Sequence, residues 1–204
     1  MTADRDDTAL LNAVRDCATC SDLPKGPRPI LQWQSQASIL IAGQAPGRIT
    51  HEKGIPFDDP SGDRLRSWLG VDRDAFYDPA LFAIVPMAFC YPGTGKSGDL
   101  PPPDICARLW RSQLLERMTA TQLTIIIGQY AVAWQYPEHK GTLTGLICRW
   151  KESFPDAVVL PHPSPRNRMW LSRNPWFEDD LLPKLRARVA EILSATPPAG
   201  DDRV

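Results

Sequence analysis

Long apolar runs are missing from this sequence. No stretch approaches the roughly 18 uninterrupted apolar residues of a membrane-spanning helix, so no membrane association is expected. The opening, MTADRDDTALL, is acidic and lacks the basic start and apolar stretch of a secretory leader. The expected compartment is therefore the cytoplasm. Excess charge of either sign is missing too: 23 Lys and Arg stand against 24 Asp and Glu, a formal net charge of −1. That excludes a globally basic nucleic-acid binder, so contact with nucleic acid has to rest on a local patch. Histidine is scarce, with three residues. No internal repeat and no linker is visible.

What is present is a globular composition, 43% hydrophobic over 204 residues. That suffices for a core and suits one domain over 1–204, with frayed tails at about 1–10 and 195–204. Four apolar runs read as buried strands: SILIAG (38–43), FAIVPM (82–87), LTIIIG (123–128) and AVVLP (157–161). Helical patterns lie between them. SGDRLRSWLG starts at a plausible Ser61 cap and ends at Gly70, and WFEDDLLPKLRARVAEIL is a last helix that Pro183 should interrupt or restart. Strands alternating with helices predict a mainly parallel sheet covered on both faces. Ligands in such folds bind beyond the carboxyl ends of the strands. GQAPG, PMAFC, GQYA and HPSPRN stand at those ends.

Five cysteines are present, and Cys17, Cys20, Cys90 and Cys106 form C-x2-C-x69-C-x15-C. Four thiolates can hold zinc or an iron–sulfur cluster, and the residues alone do not separate the two. Small buried side chains are the bland alternative. Cys148 has no evident partner and reads as a core residue. TGKS (94–97) echoes the end of a phosphate-binding loop but lacks the first glycine at the required spacing, which excludes nucleotide binding.

GQAPG after the first strand, HPSP after the last and the cysteine spacing together resemble the uracil-DNA glycosylase superfamily. The closest resemblance is to its iron–sulfur branch, families 4 and 5, and it runs from about Cys17 to the last helix. It implies a three-layer α/β/α sandwich around a four-stranded parallel sheet. It implies hydrolysis of the N-glycosidic bond of uracil in DNA, with the base flipped out of the stack. It also implies a structural 4Fe-4S cluster on Cys17, Cys20, Cys90 and Cys106, with zinc the lesser alternative. The expected partner is DNA containing a damaged base. The expected state is a monomer, acting at the nucleoid in a bacterial cytoplasm.

The resemblance also distributes roles. His162 stands where family members place an imidazole that donates a hydrogen bond to the departing base anion, for which a neutral ring suffices. Family 4 carries a glutamate at the place of Gln44 and family 1 an aspartate at the place of Ala45. Neither acid is present, so Gly43, Gln44 and Ala45 are left to supply backbone N–H groups and an amide that positions water or base. Phe57 lies where an aromatic stacks on the flipped base. Asp59, in D-P-S-G, matches a family 5 aspartate that orients water and offsets sugar charge; Asp58 is its rival, and both also read as turn or cap residues. Pro86 replaces an asparagine that reads the uracil edge, leaving that task to Gln44, a backbone group near Ala88, or Ser164. Hypoxanthine and xanthine therefore stand beside uracil as candidate substrates. Residues 164–170 match the loop that enters the minor groove. Arg166, Asn167 and Arg168 are its expected DNA contacts, and Met169 or Trp170 is its wedge. Lys96 and Ser97 are further candidate phosphate contacts. His51 could contact substrate or a DNA phosphate, though an exposed loop histidine is the commoner case. The competing function is a catalytically weak damage-binding protein on the same scaffold.

Overall fold

The computed structural model describes residues 2–96 and 98–195. Four strands, β1 (Ile39–Ala42), β2 (Phe82–Ile84), β5 (Leu123–Ile127) and β6 (Ala157–Leu160), pair in the order β2-β1-β5-β6, all parallel. Each lies within one of the expected apolar runs. β1 alternates its burial between two cores. Ile39 and Ile41 pack with Leu65, Trp68, Phe177 and Leu185, whereas Leu40 packs with Leu10, Val14, Trp33 and Leu114. Helices thus cover both faces and the expected three-layer sandwich is present. One face carries α3 (Pro60–Leu69) against α9 (Leu182–Ala195); the other carries α1 (Thr2–Arg15) and α5 (Ser112–Glu116). Among the described residues no helix is long and apolar enough to cross a membrane.

Several local expectations change. The first residues, expected to be frayed, are helical from Thr2 on in α1, which docks Leu10 and Val14 into the second core. The expected C-terminal tail falls almost wholly outside the described residues, since α9 runs to Ala195. Helix α3 is capped by Asp59 rather than Ser61, with Pro60 in its first turn, and it ends at Gly70 with φ of +71°. Pro183 lies in the first turn of α9, just after a wider helical turn over Phe177–Leu181 that accommodates its missing donor.

From β1 the chain runs outward to β2, then returns across β1 to β5 and on to β6. Its direction reverses between β1 and β5, where a crevice opens beyond the carboxyl ends. The ladder of β1 and β2 extends past the strands. The amides of Val85, Met87 and Ala88 donate to the carbonyls of Ile41, Gly43 and Gln44, which pins the GQAPG loop to the crevice rim. A short hairpin, β3 (Thr94–Gly95) with β4 (Gly98–Asp99), arises inside the Pro/Gly-rich loop between Cys90 and Cys106.

Candidate active site

A cleft of about 610 Å³ occupies the crevice. Its walls include Gly43, Gln44 and Ala45 after β1, Phe57 and Asp59 before α3, Pro86 after β2, and His162, Ser164 and Arg166 after β6. Residues distant in sequence are thereby gathered at one end of the sheet.

His162 is open to solvent on the cleft side. The Ser164 amide donates to its Nδ1 at 3.2 Å, so a neutral ring carries its proton on Nε2. Desolvation lowers the imidazole pKa, while the charges of Asp59 and Asp99 work in the opposite direction. The ring is thus neutral near pH 7 and presents a donor. Its loop is fastened from two sides. The Asn167 amide donates to the His162 carbonyl at 2.6 Å, and Arg64 of α3 donates to the Ser164 carbonyl at 2.9 Å.

Phe57 adopts φ of +53°, a left-handed conformation that costs a non-glycine residue energy. The surroundings hold it there. Arg66 donates to the Phe57 carbonyl at 3.3 Å, and the Tyr77 hydroxyl donates to the Pro56 carbonyl at 2.9 Å. A Cβ built on Gly62 would stand 1.7 Å from the Phe57 carbonyl oxygen, so only glycine fits at that position. The ring reaches over Gly43, whose built Cβ would meet Phe57 Cζ at 3.8 Å.

The two adjacent aspartates separate. Asp58 is clamped by Arg73 at 2.6 Å and Lys53 at 3.1 Å, and the Arg73 hydrogen bond holds its carboxyl below the usual range. Asp59 lines the cleft while its Oδ1 accepts from the Gly62 amide at 2.8 Å, as the cap of α3. It is both cap and cleft carboxylate.

Other expectations shift. Ala88 lies outside the cleft walls, buried, with its amide spent on Gln44. The Gln44 amide nitrogen donates to the Leu100 carbonyl at 3.2 Å, which leaves its oxygen for a ligand. Asn167 staples its own loop through its side-chain nitrogen. Arg166 and Arg168 are exposed. Met169 is 64% exposed, whereas Trp170 packs on Trp176 and Phe177 and bonds Thr144 through its indole, so Met169 is the candidate wedge. His51 is no exposed loop residue. It lies in α2 (Arg48–Lys53), 8% exposed, beside the Tyr91 ring and outside the cleft walls. Ser97 lies outside the described residues. Cys148 is exposed, not core.

Sequence reasoning missed Asp99 and the hairpin that carries it onto the cleft wall. The Gly95 and Gly98 pair around a two-residue turn was the available signal.

The four cysteines share one neighbourhood. Burial pushes the Cys90 thiol up to about 11, and Cys106, Cys20 and Cys17 add to the rise. Cys106 is raised by burial and then by Cys20 and Cys17, and Cys20 by burial and then by Cys17. Among the described residues, no three His, Cys, Asp or Glu side chains stand close enough to hold a single metal ion. Donors nevertheless reach the sulfurs. Burial raises Cys17, but hydrogen bonding with Thr19 brings it below its ordinary value, and the nearby Trp110 indole N–H is buried with no hydrogen-bond partner.

A family model described as the uracil DNA glycosylase superfamily matches residues 30–186. Among solved structures, the chain is similar to a candidate uracil DNA glycosylase from Methanosarcina acetivorans, with 16% identity and a TM-score of 0.45, over 79% of this chain and 97% of that one. It is also similar to Pedobacter heparinus SMUG2, with 13% identity and a TM-score of 0.33, over 94% of this chain and 82% of that one.

Proposed function

Because this chain belongs to the uracil-DNA glycosylase superfamily, we propose that it releases uracil from DNA by hydrolysing the N-glycosidic bond, the first step of base excision repair. The observation that carries this reading is His162, a neutral imidazole on the cleft wall whose Nδ1 is fixed as an acceptor and whose Nε2–H is free to donate. The flipped base stacks on Phe57. As the C1′–N1 bond lengthens, negative charge collects on the base oxygens, and the Nε2–H lowers its energy. The Asp59 carboxylate offsets the positive sugar and orients water. At the cleft wall Arg166, and beyond it Arg168, meet phosphates, and Met169 fills the vacated stack.

Pro86 offers neither side-chain nor backbone donor, so base selection falls to the Gln44 oxygen and the Ser164 hydroxyl. An acceptor at Gln44 suits the ring N–H that uracil shares with hypoxanthine and xanthine.

The cysteine neighbourhood supports a group held by four thiolates. Four cysteines that feel one another suit four thiolate ligands, and the resemblance to the iron–sulfur branch favours a 4Fe-4S cluster over zinc. The backbone amides of Arg28 and Phe89 lower the Cys90 and Cys106 thiols against their burial, which favours thiolates there. When bound, the cluster supplies a structural cross-link and takes no part in base release.

A uracil-containing oligonucleotide, incubated with the protein and then treated with alkali, should be cut at the uracil. His162→Ala should slow release by about 100-fold or more. A second reading, damage binding without turnover, draws on the missing acids at Gln44 and Ala45; binding without alkali-labile sites would favour it.

A further inference from the structure

The β3–β4 hairpin reaches across the cleft from the cysteine-bracketed loop. The Gln44 amide donates to the Leu100 carbonyl at 3.2 Å, just beyond β4. A Cβ built on Gly47 would lie 3.4 Å from Asp99 Oδ2, and one on Gly98 would lie 3.4 Å from Arg166 Nη1. The hairpin thus touches both the loop after β1 and the loop after β6, and it sets Asp99 between them. Thr94 Oγ1, itself hydrogen-bonded to the Tyr91 hydroxyl, stands 3.5 Å from Asp99 Oδ1. Asp99 Oδ2 accepts no hydrogen bond among the described residues. Asp99 shares the cleft wall with Asp59 and His162, and its charge is felt at the imidazole.

The two cleft carboxylates are not equivalent. Asp59 cannot turn without uncapping α3, and one of its oxygens is occupied. Each keeps one oxygen without a hydrogen bond among the described residues, but Asp99 stands on the hairpin between the loops after β1 and β6 and is not tied to a helix end. We propose that Asp99 is the catalytic carboxylate that takes a proton from the attacking water, a role that rests on the glycosylase reading above. The C1′–N1 bond breaks and its electron pair leaves with the base, held as an anion by His162 Nε2–H. The water oxygen bonds to C1′ and its proton passes to Asp99. That proton then leaves to solvent, and the base anion takes one up. Asp59 offsets the charge of the sugar and orients the water without taking its proton.

Single-turnover release from a uracil oligonucleotide tests this, alongside binding to the same oligonucleotide carrying an uncleavable 2′-fluoro-deoxyuridine. Asp99→Asn should slow release at least about tenfold and leave affinity for the fluorinated DNA within about twofold. Formate should restore part of the rate to Asp99→Ala by replacing the missing carboxylate, an effect that a purely structural role does not produce. Asp104→Asn, a surface residue paired with Arg108, should behave as wild type. A rate for Asp99→Asn within twofold of wild type overturns the proposal. So does a loss that tracks weaker binding, or the absence of any formate effect. If the wild-type protein itself releases no uracil, the glycosylase reading fails first, and that result is distinct from the others.

Discussion

His162 keeps Nδ1 as an acceptor because the Ser164 amide points at it, and desolvation holds its pKa down. Two consequences are measurable by nitrogen-detected NMR of the ring. Nδ1 should be unprotonated at pH 7, and the titration midpoint should lie below the ordinary value of about 6.5. Asp59 and Asp99 hold the midpoint up, so Asp59→Asn and Asp99→Asn should each move it further down. A midpoint above about 7 would mean an imidazolium donor at neutral pH and overturn the neutral-ring reading. The histidine was legible in the sequence because two prolines box it at the end of an apolar run. The separate fates of Asp58 and Asp59 were not. They depend on Arg73, which is brought over by α4 (Arg73–Tyr77), and on Lys53 in α2, and neighbours of that kind appear only after folding. His51 misled for the same reason: its burial comes from Tyr91, 40 positions away.

At the scale of an element, α3 couples stability to the site through its first residue. Asparagine caps as well as aspartate, whereas alanine loses about 1 kcal/mol. Asp59→Asn should therefore leave Tm almost unchanged yet slow base release. Asp59→Ala should slow release similarly and also lower Tm by about 2–4 °C. Thermal melts beside single-turnover rates check the split; equal melts for both variants would mean that the cap does not matter. The four sheet strands were legible because strands covered on both faces are continuous apolar runs. The β3–β4 hairpin was not, since each strand has two residues and neither is apolar. Its place over the cleft comes from contacts with Gln44 and Arg166, which no local pattern encodes.

On the scale of the molecule, the N-terminal segment is held through few side chains. Leu10 and Val14 dock α1, while the pairs of Arg117 with Asp6 and Asp7 lie near the surface and are worth little. A cross-link from Cys17 and Cys20 to Cys90 and Cys106 would join this segment to the loop that bears the hairpin, and so to the cleft. Burial leaves the Cys90 and Cys106 thiols protonated at neutral pH when no ligand is bound. Ligation must expel those protons, so retention of the cluster should weaken as pH falls. Protein purified without oxygen should be brown, with broad absorbance in the blue that bleaches faster at pH 5 than at pH 8. Cys106→Ser should be colourless, should lose at least about 5 °C in Tm, and should be cut by protease near residues 16–23. A colourless wild-type protein containing zinc would overturn the cluster. A brown protein whose Cys106→Ser variant melts with the wild type would show that packing alone holds the segment.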